Sequence, residues 1–188
     1  VSYDTTLYNV AKDTTMIKYY YKTLRAETVK ELTEPQRGTW VHVEAPSEAE
    51  IAELVKRFKL QEGLLEDALD EDEVPRLERE GPQSYIFVRY AYQNAEGEMD
   101  TAPLLIMFDA EVVVTVSLYH LPAVDALLAK GSGFATTQRA KLILLILSHI
   151  SEQYDASIRQ TSRKIKAIRS RLRAQGITNQ DLIDFVTL

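Results

Sequence analysis

A long apolar repeat in the C-terminal third constrains the fold of this chain more than any other feature. Apolar residues recur there at steps of three and four, the spacing that places side chains on one face of an α-helix. The repeat predicts a single helix of about 35 residues, much longer than the usual helix of about 11–12. A helix of this length packs along other helices or projects from its domain. Its members are Leu142, Ile146, Ile150, Tyr154, Ile158, Ile165, Ile168 and Leu172.

The residues before this helix show strand and helix patterns in turn. Val112–Val116 is apolar on both faces, which predicts a strand in the centre of a sheet. Ser47 and Glu50 have the spacing of a capping box that begins a helix, and the next helix is predicted at Gln61–Asp70. These patterns predict an α/β half followed by a helical half. Strands are predicted at Met16–Leu24, Thr39–Glu44, Tyr85–Gln93, Thr101–Phe108 and Val112–Leu118.

The composition excludes several kinds of site. The chain contains no Cys, so it has no disulfide, no thiolate nucleophile and no Cys-ligated metal. It also lacks the common nucleophile, zinc-protease and nucleotide-binding motifs. His42, His120 and His149 lie in three different predicted elements, and we interpret them as structural. We therefore predict that the protein is not an enzyme.

Signals for export or membrane insertion are not visible in the sequence. Val1–Tyr8 lacks the basic and apolar regions of a signal peptide. The longest apolar run, Leu142–Leu147, has six residues, whereas a membrane span needs roughly 18. We expect the chain as given not to cross a bilayer. Its net charge of −6 argues against nucleic acid as a partner.

Charge is distributed unevenly along the chain. Residues Glu62–Glu80 carry a net charge of −7, and Glu152–Arg173 carry +5. Within the acidic segment, Glu66, Asp67 and Asp70 are spaced as neighbours on a helix. Clustered carboxylates repel one another, and a hard cation such as Mg²⁺ or Ca²⁺ relieves that repulsion. The residues leave two interpretations open, a metal site or a solvated acidic face. The basic segment is likewise either a solvated face or a surface for nucleic acid or lipid.

The order of these elements and their short motifs resembles the N-terminal cytoplasmic domain of CorA-type divalent cation (Mg²⁺/Co²⁺) transporters. The resemblance begins near Met16 and runs to the end of the chain. It is carried by Thr39–Val43, the Leu-Glu-Asp sequence within Leu64–Asp70, Pro75–Glu78, Tyr85–Val88, the strand pair Leu104–Phe108 and Val112–Val116, and the long helix from Arg139.

The resemblance implies a mixed β-sheet flanked by helices in an α/β/α arrangement, followed by long C-terminal helices. It divides the chain into an α/β/α cytoplasmic domain at residues 1–134 and the long helix of a protruding helical pair at 135–175. Residues 176–188 are then expected to begin a further helix, with the membrane part of the protein lying beyond them.

The resemblance also implies a function, namely metal-sensing regulation of a magnesium and cobalt transporter. In the family, Mg²⁺ binds at protomer interfaces of the cytoplasmic part and holds the closed state. The family's sensing Asp corresponds to Asp67, and Glu66 and Asp70 complete the candidate metal ligands. The expected metal is Mg²⁺, with Co²⁺ or Zn²⁺ as alternatives. The family pattern of a second Asp on the long helix is not matched in Ser148–Tyr154.

Family members are homopentamers, so the resemblance implies a pentamer for the full-length protein. Helices beyond Leu188 are expected to anchor it in the inner membrane, with this chain on the cytoplasmic side. We expect the chain by itself to be soluble, and a monomer or dimer. Two alternatives remain open: the cytoplasmic domain of a ZntB-like zinc transporter, and a stand-alone soluble protein-binding domain.

Overall fold

The computed structural model describes residues 17–94 and 96–175. Residues 1–16, where the sequence shows no signal peptide, lie outside the described residues. Residues 176–188, where the start of a helix was predicted, lie outside them as well. The strands are β1 Ile17–Tyr21, β2 Lys30–Leu32, β3 Trp40–Glu44, β4 Arg76–Glu80, β5 Gln83–Gln93, β6 Met99–Phe108 and β7 Val113–Ser117. The helices are α1 Glu48–Phe58, α2 Glu62–Asp67, α3 Pro122–Lys130 and α4 Arg139–Gln175.

The seven strands form one mixed sheet in the order β2-β1-β3-β7-β6-β5-β4. β3 and β7 are parallel, in a register that runs from Trp40 opposite Val113 to Glu44 opposite Ser117. The other strand pairs of the described sheet are antiparallel. Every residue of β7 is buried, so the prediction of a central strand is confirmed.

Helices α1 and α2 cover one face of the sheet. Ser47 and Glu50 form the predicted capping box at the start of α1. Leu54 from α1 and Leu65 from α2 are fully buried against sheet residues such as Val43. α2 ends at Asp67 rather than at the predicted Asp70, because acidic residues oppose the negative end of a helix dipole.

Helices α3 and α4 cover the other face. Pro122 occupies the first turn of α3, and Gly131 ends that helix in the left-handed conformation. Leu127 of α3 and Leu142 of α4 pack in the same core cluster as Trp40 of β3. With helices on both faces of a mixed sheet and a long helix after it, the predicted fold class is confirmed.

Helix α4 has two different halves. It is 37 residues long, which corresponds to about 55 Å. Its first half contributes Leu142, Ile146 and Ile150 to the core, whereas Ile158 in its second half is 63% exposed. None of the helices among the described residues combines the length and hydrophobicity that a membrane span requires.

Candidate functional site

The predicted metal ligands lie at the end of α2 and in the turns that follow it. Leu65 of α2 and Ala68 just after it are fully buried, and the two residues between them, Glu66 and Asp67, are more exposed. Glu66 and Asp70 are exposed, and Asp67 is partly exposed. The Oδ1 atom of Asp70 accepts a hydrogen bond from the backbone N–H of Asp72 at 3.0 Å. The three carboxylates are therefore all accessible at the surface near the end of α2.

Arg76 of β4 is the counter-ion of this surface. Its Nη2 donates to Oδ2 of Asp67 at 2.5 Å, and its other nitrogens contact Glu73 and Glu78. The guanidinium lies over the ring of Phe87, 4.0 Å from the ring centroid, because Arg76 and Phe87 are cross-strand neighbours. Hydrogen bonds to Glu73 and Glu78 raise the pKa of Arg76 above its ordinary value, so it remains a cation.

A second arginine fixes the loop that joins α2 to β4. Nη1 of Arg89 donates to the carbonyl oxygens of Glu71 at 2.8 Å and Glu73 at 2.9 Å. Its Nη2 donates to the carbonyl oxygen of Thr101 at 2.6 Å, which joins the loop to β6. The hydroxyl of Tyr119 donates to the carboxylate of Glu71. The acidic loop is thus anchored through its backbone by Arg89 and through the Glu71 side chain by Tyr119.

The surface does not form a metal centre within one chain. Among the described residues, no group of three or more His, Asp or Glu side chains is arranged to hold a metal ion. Asp67 is already neutralised by Arg76, and the Asp67 side chain is 44% exposed. A cation at Glu66, Asp67 and Asp70 would therefore need further ligands from water or from another subunit.

A second cluster lies where the parallel strands β3 and β7 end. Trp40 Nε1 donates to Thr115 Oγ1 at 2.9 Å, and Thr115 Oγ1 lies 2.9 Å from His42 Nδ1. His42 Nε2 lies 3.1 Å from Oε1 of Glu44. With its proton on Nε2, the His42 ring accepts a hydrogen bond from Thr115 at Nδ1 and donates one to Glu44 from Nε2. Glu44 also accepts the backbone N–H of Leu121 at 2.9 Å.

Glu44 links this buried chain to a surface histidine. Nδ1 of His120 is 3.3 Å from Oε2 of Glu44, and its Nε2 is 2.8 Å from Oδ2 of Asp125. Because both ring nitrogens face carboxylate oxygens, a protonated His120 ring can donate to both at once. The cluster therefore couples the end of β3 to the first turn of α3.

The environment of these groups shifts their pKa values in opposite directions. Burial by itself would raise the pKa of Glu44, but hydrogen bonds from His42, the Leu121 N–H and His120 lower it to about 2. Burial by itself would lower the pKa of His120, but the hydrogen bonds and charges of Glu44 and Asp125 raise it. Both shifts favour the charged pair.

Sequence reasoning missed the central residue of each cluster, Arg76 in the first and Glu44 in the second. Arg76 was part of a strand motif, and nothing in its spacing indicated that Asp67, Glu73 and Glu78 converge on it. Glu44 and His120 are 76 positions apart in the sequence, and only the pairing of β3 with β7 brings them together. The three histidines, interpreted as structural, do not all lie apart, since His42 and His120 share one carboxylate.

Comparison with known proteins supplies a family match. A model of the family described as "CorA-like Mg2+ transporter protein" matches residues 35–188. The comparison with curated proteins gave no significant match.

Solved structures with the same fold include two of CorA from one archaeon and one of a bacterial ZntB domain. The soluble domain of CorA from Methanocaldococcus jannaschii superposes with a TM-score of 0.77 at 18% identity, over 91% of this chain and 69% of that one. The complete CorA magnesium transporter from the same organism superposes with a TM-score of 0.75 at 18% identity, over 93% of this chain. The ZntB cytoplasmic domain from Vibrio parahaemolyticus superposes with a TM-score of 0.66 at 12% identity, over 93% of this chain and 75% of that one. The chain spans 56% of the complete CorA transporter.

Proposed function

Because this chain belongs to the CorA-like Mg²⁺ transporter family, we propose that it is the cytoplasmic regulatory domain of a magnesium and cobalt transporter. The observation that carries the proposal is the family match over residues 35–188, supported by a fold shared with a CorA soluble domain. The role is regulatory rather than enzymatic. The domain lies on the cytoplasmic side of the inner membrane, and further helices complete the transporter.

The chain divides into a domain and the long helix that follows it. Of the described residues, those up to 134 belong to the α/β/α domain and 135–175 to a protruding helical pair. The second half of α4 supports this division, since the described core clusters include no α4 residue beyond Tyr154. The full-length protein is a homopentamer.

The regulatory ligand is a divalent cation at protomer interfaces. Glu66, Asp67 and Asp70 are its ligands on one protomer, and the adjacent protomer supplies the rest of the site. Support comes from the exposure of these carboxylates near the end of α2. A cation that binds better in the closed assembly favours closure by differential affinity.

Arg76 sets the threshold of this response. A divalent cation that binds Asp67 has to compete with the guanidinium already bonded to it. The competition weakens the site, which suits a sensor of an ion present at millimolar concentration. Cation binding is therefore expected to move Arg76 from Asp67 toward Glu73 and Glu78.

Zinc transport is the second candidate, because the ZntB cytoplasmic domain has the same fold. The ligand chemistry favours magnesium over zinc. The proposed ligands are carboxylate oxygens only, whereas zinc prefers sites with imidazole or thiolate. A stand-alone protein-binding domain is the third candidate, and it predicts no response to any of these metals.

Thermal unfolding with each metal tests the proposal. We expect Mg²⁺ and Co²⁺ at about 10 mM to raise the melting temperature of the wild-type chain, since a ligand that binds the folded state stabilises it. Asp67→Asn should remove most of that rise. A rise with Zn²⁺ alone would favour the zinc candidate. No rise with any metal would contradict cation sensing by this chain.

A further inference from the structure

The second half of α4 carries a row of basic side chains on one face. Arg159, Arg163, Lys166 and Arg169 follow one another at steps of four, three and three, so they project from the same side of the helix. All four are exposed, and the row is about 15 Å long. We call these four residues the basic row.

The basic row lies opposite the covered side of the helix. Ser157 and Thr161 are partly buried and Ile168 is buried, and their spacing continues the stripe that Ile150 and Tyr154 begin. The helical positions of the basic row are on the other side of α4. The row is therefore the outward face of this half of the helix.

Among residues 17–94 and 96–175, few anionic side chains balance the charge of the row. Arg159 pairs with Asp155 at 2.6 Å. No described ion pair involves Arg163, Lys166 or Arg169. Like charges three and four positions apart on a helix repel one another and destabilise it. An anionic partner would offset that repulsion.

The same chain presents exposed residues of opposite charge. Glu62 and Glu66 are one turn apart on α2, and Asp70 follows three residues after the end of that helix; all three are exposed. We call these three residues the acidic surface. α2 and α4 cover opposite faces of the sheet, and no ion pair among the described residues joins the acidic surface to the basic row. Neutralisation of one by the other thus calls for two molecules.

We infer that the basic row of one copy docks on the acidic surface of a second copy. The two surfaces differ, so the contact is heterologous and places copies head to tail, which generates a ring or an open filament. Charge complementarity of this kind fixes the partner and its register more than it adds affinity. The contact is therefore weak, sensitive to salt and dependent on both surfaces.

The inference stands apart from the proposed metal site, although Glu66 and Asp70 take part in both. Carboxylates that hold a cation are less available to arginine, so Mg²⁺ should weaken the docking beyond its contribution to ionic strength. The docking itself is measured without metal, in a chelator. A chain that docks but ignores Mg²⁺ would contradict the metal site and leave the docking intact.

Two neutralised variants that complement each other test the inference. The first carries Arg163→Gln, Lys166→Gln and Arg169→Gln, and the second carries Glu62→Gln, Glu66→Gln and Asp70→Asn. Sedimentation at about 0.05 M NaCl, where exposed charges are weakly screened, should find that each variant self-associates about tenfold more weakly than wild type, the size expected for three exposed ion pairs. An equimolar mixture should form a 1:1 complex, since one intact basic row then meets one intact acidic surface.

Matched controls separate docking from general charge effects. Lys30→Gln, Lys56→Gln and Lys130→Gln remove the same charge from exposed positions elsewhere and should leave association as in wild type. Circular dichroism checks that every variant is folded. If the two variants do not complement each other, or if the lysine control weakens association equally, the inference is wrong. It is also wrong if the wild type stays monomeric while its basic row binds vesicles that contain anionic phospholipid.

Discussion

Arg76 Nη2 lies 2.5 Å from Asp67 Oδ2, so the carboxylate proposed to sense a metal ion is bonded to a cation of its own chain. Glu73 and Glu78 share the same guanidinium. Arg76 therefore supplies positive charge to this acidic segment, and an added cation has to compete with it for Asp67.

Replacement of Arg76 tests this relationship. Arg76→Gln should lower the free energy of unfolding by about 1–3 kcal/mol, because three partly buried carboxylates lose a charged partner. The variant should also gain more stability from Mg²⁺ than the wild type does, since the competing cation is gone. Chemical denaturation with and without Mg²⁺ measures both effects. Arg79→Gln, on the same strand but exposed, is the control and should change stability by less than about 0.5 kcal/mol.

Glu44 should make stability depend on acid pH. Its folded pKa of about 2 lies below its ordinary value of 4.5, so its contribution is present above pH 4.5 and is lost as pH falls toward 2. Glu44→Gln should lower the free energy of unfolding at pH 7 by about 2 kcal/mol. The difference from wild type should shrink steadily below pH 4.5. Glu96→Gln, in an exposed hairpin, should not alter the pH profile, and an unchanged profile in Glu44→Gln would contradict the role given to this cluster.

His120 should act in the opposite pH range. Its pKa is raised in the folded state, so its contribution is complete below its ordinary value of 6.5 and is lost as pH rises through the raised value. NMR titration of the His120 ring should find a midpoint above 6.5. Asp125→Asn should lower that midpoint, because Nε2 loses its charged acceptor. A midpoint at or below the ordinary value would mean that the imidazolium does not bridge the two carboxylates.

Gly38 is a position where a methyl group should be costly. Its φ is +85°, and an added Cβ would lie 2.8 Å from Thr137 Cγ2. Gly38→Ala should therefore cost about 1–3 kcal/mol of unfolding free energy, from backbone strain and the close contact together. Gly81 has φ +56° with open space around it, so Gly81→Ala isolates the backbone part and should cost less. If both variants lose the same unfolding free energy, Thr137 moves away from the added methyl group at no cost.

Local patterns predicted much of this fold. The capping box at Ser47, the central position of β7 and the length of α4 each depend on residues close together in sequence. β2 was not predicted, because Lys30–Leu32 is three residues long and two of them are exposed charges. So short an edge strand has too little pattern to detect.

The candidate sites were less accessible to sequence reasoning. The acidic segment could be found by its charge, and Asp67 by the family resemblance. Its partner Arg76 could not, because it lies nine positions further along the chain, beyond a change from helix to strand. The role of Glu66, Asp67 and Asp70 as metal ligands stays a prediction, since it concerns atoms contributed by more than one chain.

The mass of the chain in solution with and without Mg²⁺ tests the central claim most directly. At about 0.5 M NaCl, where exposed ion pairs between copies are screened, added Mg²⁺ at about 10–20 mM should increase the mass of the wild-type chain. Asp67→Ala should abolish that increase, whereas Asp72→Ala, which removes an exposed charge from the same segment, should preserve it. If Asp67→Ala assembles with Mg²⁺ as the wild type does, or if neither changes mass, Asp67 does not form an interfacial cation site in this chain.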